Sequence, residues 1–405
     1  MSLSGAQKLA VLLCKFKGSD IEQNPPDYYA DLFARRGTGG LNDYWIDASL
    51  GAINLDGSDI LGWKSLDQTR DEFIATHPAR NDKVQGAIDA FGVDMSKYKC
   101  AVAIFNDDPG DAGSNGGVLA APDNVNVTFL AHETGHMFGL AHSFDQSDRK
   151  LQDWSAPGEY YDNYDIMSAM NVDSFATERF GSAGPLVCAT NLDAMDWMPE
   201  DRIWTPEPGG SSVSTIDLVA LSHAEIPGPL CARLGGFYVE FRINDGWDKG
   251  LAGPRILIHT LNGSNAIIIA RDLGSYIYDW QPGQSFGPPP VILAIDGGDT
   301  MSVISFDVQA KTARLRITHT ARKPIFDGPT GMVLGGVEVD AGGWIIVGGH
   351  IVKVPPRSPM LKLLSRVALL SQAHDLLGES EFGRIAAPVF EDVEGLAKEG
   401  RKQIG

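Results

Sequence analysis

Residues 132–143 of this 405-residue chain read His-Glu-Thr-Gly-His-Met-Phe-Gly-Leu-Ala-His-Ser, and the spacing of the histidines carries a geometric argument. His132 and His136 stand four residues apart. On a helix they share one face, so both imidazoles can reach a single metal ion. Glu133 lies beside the first of them and outside the ligand pair, where it can take a proton from a water in the metal's open position. A straight helix would carry any later ligand past the ion, whereas Gly139 permits a positive φ and a sharp turn that brings His142 back as third ligand. Three neutral imidazoles and a water make an open, catalytic zinc site, unlike a closed four-ligand structural one. With nine histidines in the chain, five fixed positions of this kind are a rare coincidence of composition.

Other residue groups invite weaker readings. The loop Asn106-Asp107-Asp108-Pro109-Gly110-Asp111 sets three carboxylates within five residues. Asp107, Asp108 and Asp111 are therefore candidate calcium ligands, although the spacing is not that of an EF-hand. Cys14, Cys100, Cys188 and Cys231 lie far apart with no CxxC pair, which argues against a cysteine metal site and leaves disulfides and buried free thiols both open.

The elements that must position these groups follow from periodicity. Leu9 to Phe16 and Cys100 to Phe105 are apolar runs that read as buried strands; Tyr28, Tyr29, Leu32 and Phe33, and later Val84, Ala87, Ile88 and Phe91, recur at helical spacing. Leu41 to Ser49 opens a second amphipathic helix, Val118 to Ala121 a short strand, and Val127 to Phe138 the helix of the histidines. A stretch from Thr205, Thr-Pro-Glu-Pro-Gly-Gly-Ser-Ser, reads as a linker. Beyond it, short β-type runs at Phe237 to Ile243, Arg255 to Thr260, Ala266 to Ala270, Val291 to Ile295, Met301 to Val308 and Ala313 to Thr318 indicate a β-sandwich. Two more runs follow near Val337 to Val339 and Trp344 to Val354, and the stripe Met360, Leu363, Leu364, Val367 and Leu370 gives a helical tail. The expected organisation is α+β: a domain over 1–205 with a mixed twisted sheet and a long histidine helix, an all-β sandwich over 206–355, and a helical tail over 356–405.

Composition bounds the partners. Apolar residues make up 43% and charged residues 21%, with 46 Gly and 23 Pro, so the chain is globular and loop-rich. A net charge of −19 repels phosphate backbones and anionic membrane surfaces, which excludes nucleic acid as an expected partner. No apolar run approaches the roughly 18 residues of a membrane span, and the N-terminal apolar stretch Leu9 to Cys14 lacks a small-residue cleavage site, so it does not read as a signal peptide.

On the full pattern HExxHxxGxxH the chain resembles the metzincin clan of zinc endopeptidases. Within that clan it is most similar to the immune-inhibitor-A and gametolysin-like group. The likeness also rests on Tyr28-Tyr29-Ala30-Asp31-Leu32-Phe33, Leu41-Asn42-Asp43-Tyr44-Trp45, Asp193 to Trp197, Phe237 to Arg242, Gly246-Trp247-Asp248 and Ile256 to His259, and covers about residues 8 to 310. It implies that Met167, in Tyr164-Asp165-Ile166-Met167-Ser168, forms a turn beneath the metal, with Met170 as second candidate. It also implies that Gly117, Val118, Leu119 and Ala120 border the cleft as an edge that pairs with an extended peptide. A tyrosine stands two residues after the turn methionine in some metzincins; here that position is Ala169, leaving Tyr160, Tyr161 and Tyr164 as unassigned candidates for the oxyanion donor. A sandwich packed on the catalytic domain, with Glu240, Arg242, Asp248 and His259 as packing residues or a second metal site, and secretion of the enzyme are further implications.

The resulting expectation is a zinc endopeptidase acting on protein or peptide, with Glu133 as general base. A zinc hydrolase of non-peptide bonds shares the motif. The alternative is an inactive protease scaffold that binds protein or glycan through the sandwich; the retained Glu133 favours the enzyme.

Overall fold

The computed structural model describes residues 3–207, 210–272, 275–287, 298–321, 344–347 and 350–353. Residues up to 288 together with 298–321 form one compact unit of mixed α and β structure. Its first sheet comprises β1 (Leu9–Lys15), β2 (Asp59–Ser65), β3 (Cys100–Phe105), β4 (Gly113–Asn115) and β5 (Val118–Pro122), in the order β2-β1-β3-β5-β4. All neighbours are parallel except β4, which runs antiparallel to β5.

The unbroken apolar runs of β1 and β3 reflect cover on both faces. Leu9, Val11, Leu13, Val102 and Ile104 enter the core that takes in α1 (Pro26–Phe33), α2 (Leu41–Ala48) and α5 (Val127–Phe138). Ala10, Leu12, Ala101, Ala103 and Phe105 face the other way, against Phe73 of α3 (Arg70–Thr76) and Val84 and Ala87 of α4 (Arg80–Phe91). Trp45 of α2 donates its indole N–H to the Thr134 hydroxyl at 2.8 Å, tying α2 directly to the histidine helix.

The segment Gly117 to Ala120, which the resemblance implies is a cleft edge, is not a free sheet edge: Val118 to Ala120 pairs with a strand on each side. The loop before it turns back at Gly116, with φ +61, and pairs Gly113 with Ala120, Ser114 with Leu119 and Asn115 with Val118. A two-glycine connection readily closes such a hairpin, and the free edge belongs to β4.

After α6 (Ala189–Ala194) come two further sheets. One orders β6 (Ile203–Trp204), β8 (Cys231–Leu234), β9 (Phe237–Arg242), β10 (Arg255–Asn262) and β11 (Asn265–Ile268), with β12 (Asp279–Trp280) also on β10. The other orders β7 (Ser212–Val219), β15 (Thr312–Thr320), β14 (Gly298–Asp307) and β13 (Ser285–Phe286). Val239, Phe241, Ile256 and Ile258 of the first sheet share a core with Met301, Val303, Leu315 and Ile317 of the second.

Alternation along β9 and β10 puts the intervening residues on the opposite face, and these carry charge. Arg242 bonds Asp248 at 2.6 Å and Glu240 at 3.0 Å, and donates to the Tyr164 carbonyl at 3.1 Å; His259 Nε2 meets Asp162 at 2.9 Å. All four side chains of the Glu240, Arg242, Asp248 and His259 set are fully buried. Glu240 of β9 accepts the Ala189 N–H at 2.5 Å and Asp248, in the turn after β9, the Leu186 N–H at 3.1 Å, so these charges fasten the segment leading into α6. Burial alone would push His259 down, but Asp162, with Glu240 and Asp165 behind it, raises it above its ordinary value. These residues are internal ion pairs, and among the described residues no second group of metal-competent donors forms there.

A second unit spans residues 289–297 and 322–405. It is described through one antiparallel hairpin, β16 (Trp344–Val347) with β17 (His350–Lys353). The runs expected at 291–295 and 337–339 and the helical tail over 356–405 lie outside the described residues.

Removing the cation from a buried pair strands its carboxylates. Arg242→Ala is therefore expected to cost about 3–5 kcal/mol in unfolding free energy by urea titration; a loss below about 1 kcal/mol would show that the network is not holding the two halves together.

Candidate metal centre

Helix α5 begins at Asn126, whose side chain accepts the Phe129 N–H at 2.9 Å, and buries Val127, Leu130, Ala131, Met137 and Phe138. It ends at Gly139 in the left-handed region, φ +106. There the Gly139 N–H bonds the His136 carbonyl at 3.0 Å and the Leu140 N–H the Gly135 carbonyl at 2.9 Å. This double closure satisfies the last carbonyls and reverses the chain, which returns His142 to the face carrying His132 and His136. One ring nitrogen from each of the three lies within 4.8 Å of the others.

The outer nitrogens are all engaged. His132 Nδ1 is 3.0 Å from the Ile166 carbonyl, His136 Nδ1 is 2.9 Å from the Leu140 carbonyl, and His142 Nδ1 is 2.5 Å from the Glu159 carboxylate. Carbonyls and carboxylates only accept, so each Nδ1 donates and each neutral ring presents a bare Nε2 lone pair inward. Two of these, on His132 and His136, stand 3.0 Å apart. Facing lone pairs repel, and a cation between them removes the conflict; zinc with about 2.0–2.1 Å bonds to nitrogen separates tetrahedral ligands by about 3.3 Å. Burial, then the neighbouring His136 ring, pushes His132 down to about 3, and the same causes lower His142 against the opposing pull of Glu159. His132 and His142 are thus kept neutral, as ligands must be. The donor set fits zinc.

Met167 is fully buried under the helix. A Cβ on Gly135 would fall 2.6 Å from its sulfur, so the glycine inside the motif makes room for the methionine. Asp165 holds this turn by accepting the Met167 N–H at 2.9 Å, the Ser143 hydroxyl at 3.0 Å and the Asn191 amide at 2.9 Å. Burial, reinforced by Asp162, raises its carboxyl. Through Asp165 the turn that supplies the Ile166 carbonyl is joined to the residue following His142. Ala169, two residues past the methionine, sits at φ 38, a strained conformation; the side chain of Met170 lies outside the described residues.

Glu133 is half-buried beside the cluster. Its Oε2 accepts both the Ser114 N–H at 2.7 Å and the Ser114 hydroxyl at 2.6 Å. Of the three tyrosines, Tyr161 stacks on Arg149 and Tyr164 bonds Arg255 at 3.0 Å, whereas Tyr160 places its hydroxyl 3.4 Å from His142 Nε2. Tyr160 holds φ +67, a strained value for its type, and burial pushes its phenol up to about 12, so it remains a donor at neutral pH. Glu159 and Ser114 carried no signal in the sequence, because each reaches the site from a loop or short strand, and Asp165 was legible only as part of the methionine segment, not as its anchor.

The acidic loop is not drawn into a cation cage. Asp111 pairs with Arg80 at 2.9 Å, while Asp107 and Asp108 lie 3.9 and 3.7 Å from Arg70. Among the described residues, the histidine trio is the group of convergent metal donors. All four cysteines are free and buried, and burial raises their thiols. No protein-family model matches the chain, and no curated protein matches it.

Because Glu159 fixes the ring and tautomer of His142, Glu159→Ala is expected to weaken zinc affinity about 10- to 100-fold in competition with a chromophoric chelator. Unchanged affinity would show that the carboxylate does not orient the ligand.

Proposed function

We propose that this chain is a zinc-dependent endopeptidase of the metzincin type. The observation that carries the reading is the convergence of three Nε2 atoms whose Nδ1 partners are all committed, with one carboxylate adjoining. His132, His136 and His142 would hold the ion, which when bound supplies Lewis acidity toward a carbonyl and toward water.

The chain's own groups do the remaining work. With Oε2 engaged by Ser114, and no hydrogen bond to Oε1 among the described residues, Oε1 of Glu133 accepts the proton of the attacking water and returns it to the departing amine. The Tyr160 hydroxyl is the donor nearest the ligating atom of His142 and serves the oxygen that develops negative charge. An open pocket of about 250 Å³, lined by Phe129, Ala169 and Val172 together with the polar Asn126, Thr128, Ser174 and Ser182, lies against the first turn of α5 and the residues after Met167.

Glu133→Ala is expected to retain one zinc per chain and to lose about 10²- to 10⁴-fold in kcat on casein. A variant that cleaves at the parent rate would sink the assignment of the base, and one that has lost its zinc would make the carboxylate a structural group.

A further inference from the structure

Ser114 is the outward-facing residue of the edge strand β4. Its neighbours Gly113 and Asn115 pair with Ala120 and Val118. Its own N–H goes to Glu133 and its carbonyl accepts Arg80 Nη1 at 3.1 Å, so both main-chain groups turn away from the sheet. Arg80 in turn sets its Nε and Nη2 on one oxygen of Asp111 at 3.1 and 2.9 Å. A Cβ at Gly113 would come within 2.8 Å of the Arg80 guanidinium carbon, so the strand lies flush against that side chain. Ser114 is therefore anchored from both sides, by the hairpin and by Arg80, before it meets Glu133.

Two donors from one anchored residue then fall on the same oxygen, Oε2. A free glutamate on a helix samples several rotamers, and each costs orientation when a proton must move. Here the carboxylate is fixed at one oxygen and left open at the other.

We infer that Ser114 is a positioning residue: its N–H and hydroxyl together hold Glu133 with Oε1 turned to the reacting water. The inference rests on the hydrolase reading of the site. Among the described residues Ser114 makes no hydrogen bond to the three histidines, and it acts through the glutamate.

Two experiments on the full chain test it. In the zinc-loaded protein, Ser114→Ala should retain zinc, keep KM for casein within about twofold and lower kcat about tenfold, the loss of one hydrogen bond to a charged group; Ser114→Thr, which restores the hydroxyl, should recover most of it. In the metal-free protein, Glu133→Ala should speed amide exchange over residues 113–117, read by mass spectrometry, because the Ser114 N–H loses its acceptor. A Ser114→Ala enzyme with the parent kcat, a parallel fall of kcat and zinc content, or exchange unchanged by Glu133→Ala would each overturn the inference. A parent protein that binds zinc yet never cleaves casein would overturn the hydrolase reading, while the exchange experiment still decides whether Ser114 grips Glu133.

Discussion

An α-helix can aim two side chains four residues apart at one point, but its rise carries the next turn about 5.4 Å further on. A third ligand must therefore come from chain that has left the helix and turned back. That constraint governs much of this structure. Gly139 supplies the reversal at φ +106, and Gly135 leaves the space that Met167 fills below the same turn. The Ile166 carbonyl, one residue before that methionine, is the acceptor that orients His132. Asp165 then closes the circuit between the methionine turn, which orients His132, and Ser143, the residue that follows His142.

The same set depends on charges supplied from the sheets that follow. Loops around the histidine cluster leave main-chain groups and carboxylates without partners in their own half, and burying them is costly unless counter-charges reach them. Arg242, Glu240 and His259 provide those partners from the outward face of β9 and β10, while the opposite face of the same strands packs the sandwich core. The alternation of a β-strand thus lets one sheet serve both halves at once.

The legible parts of the sequence were those set by local spacing. The histidine pattern is local, and strands such as β1 and β3 announce themselves because burial on both faces leaves continuous apolar residues. Strand β2 gave no such signal: it is an edge, carries Gly62, and most of its residues are exposed or half-exposed. The surroundings of the acidic loop were not legible, because a sequence shows Asp107, Asp108 and Asp111 together but not Arg70 and Arg80, which arrive from the start of α3 and α4. Ser114 and Glu159 were invisible for the related reason that their partners lie 19 and 17 residues away.

The central claim is that three imidazoles hold one zinc through Nε2. X-ray absorption at the zinc edge of the purified, zinc-loaded full chain tests it most directly. The account predicts one zinc per chain with three imidazole nitrogens at about 2.0–2.1 Å, completed by oxygen. A sulfur shell at about 2.3 Å, or a shell of oxygens without imidazole scattering, would contradict it.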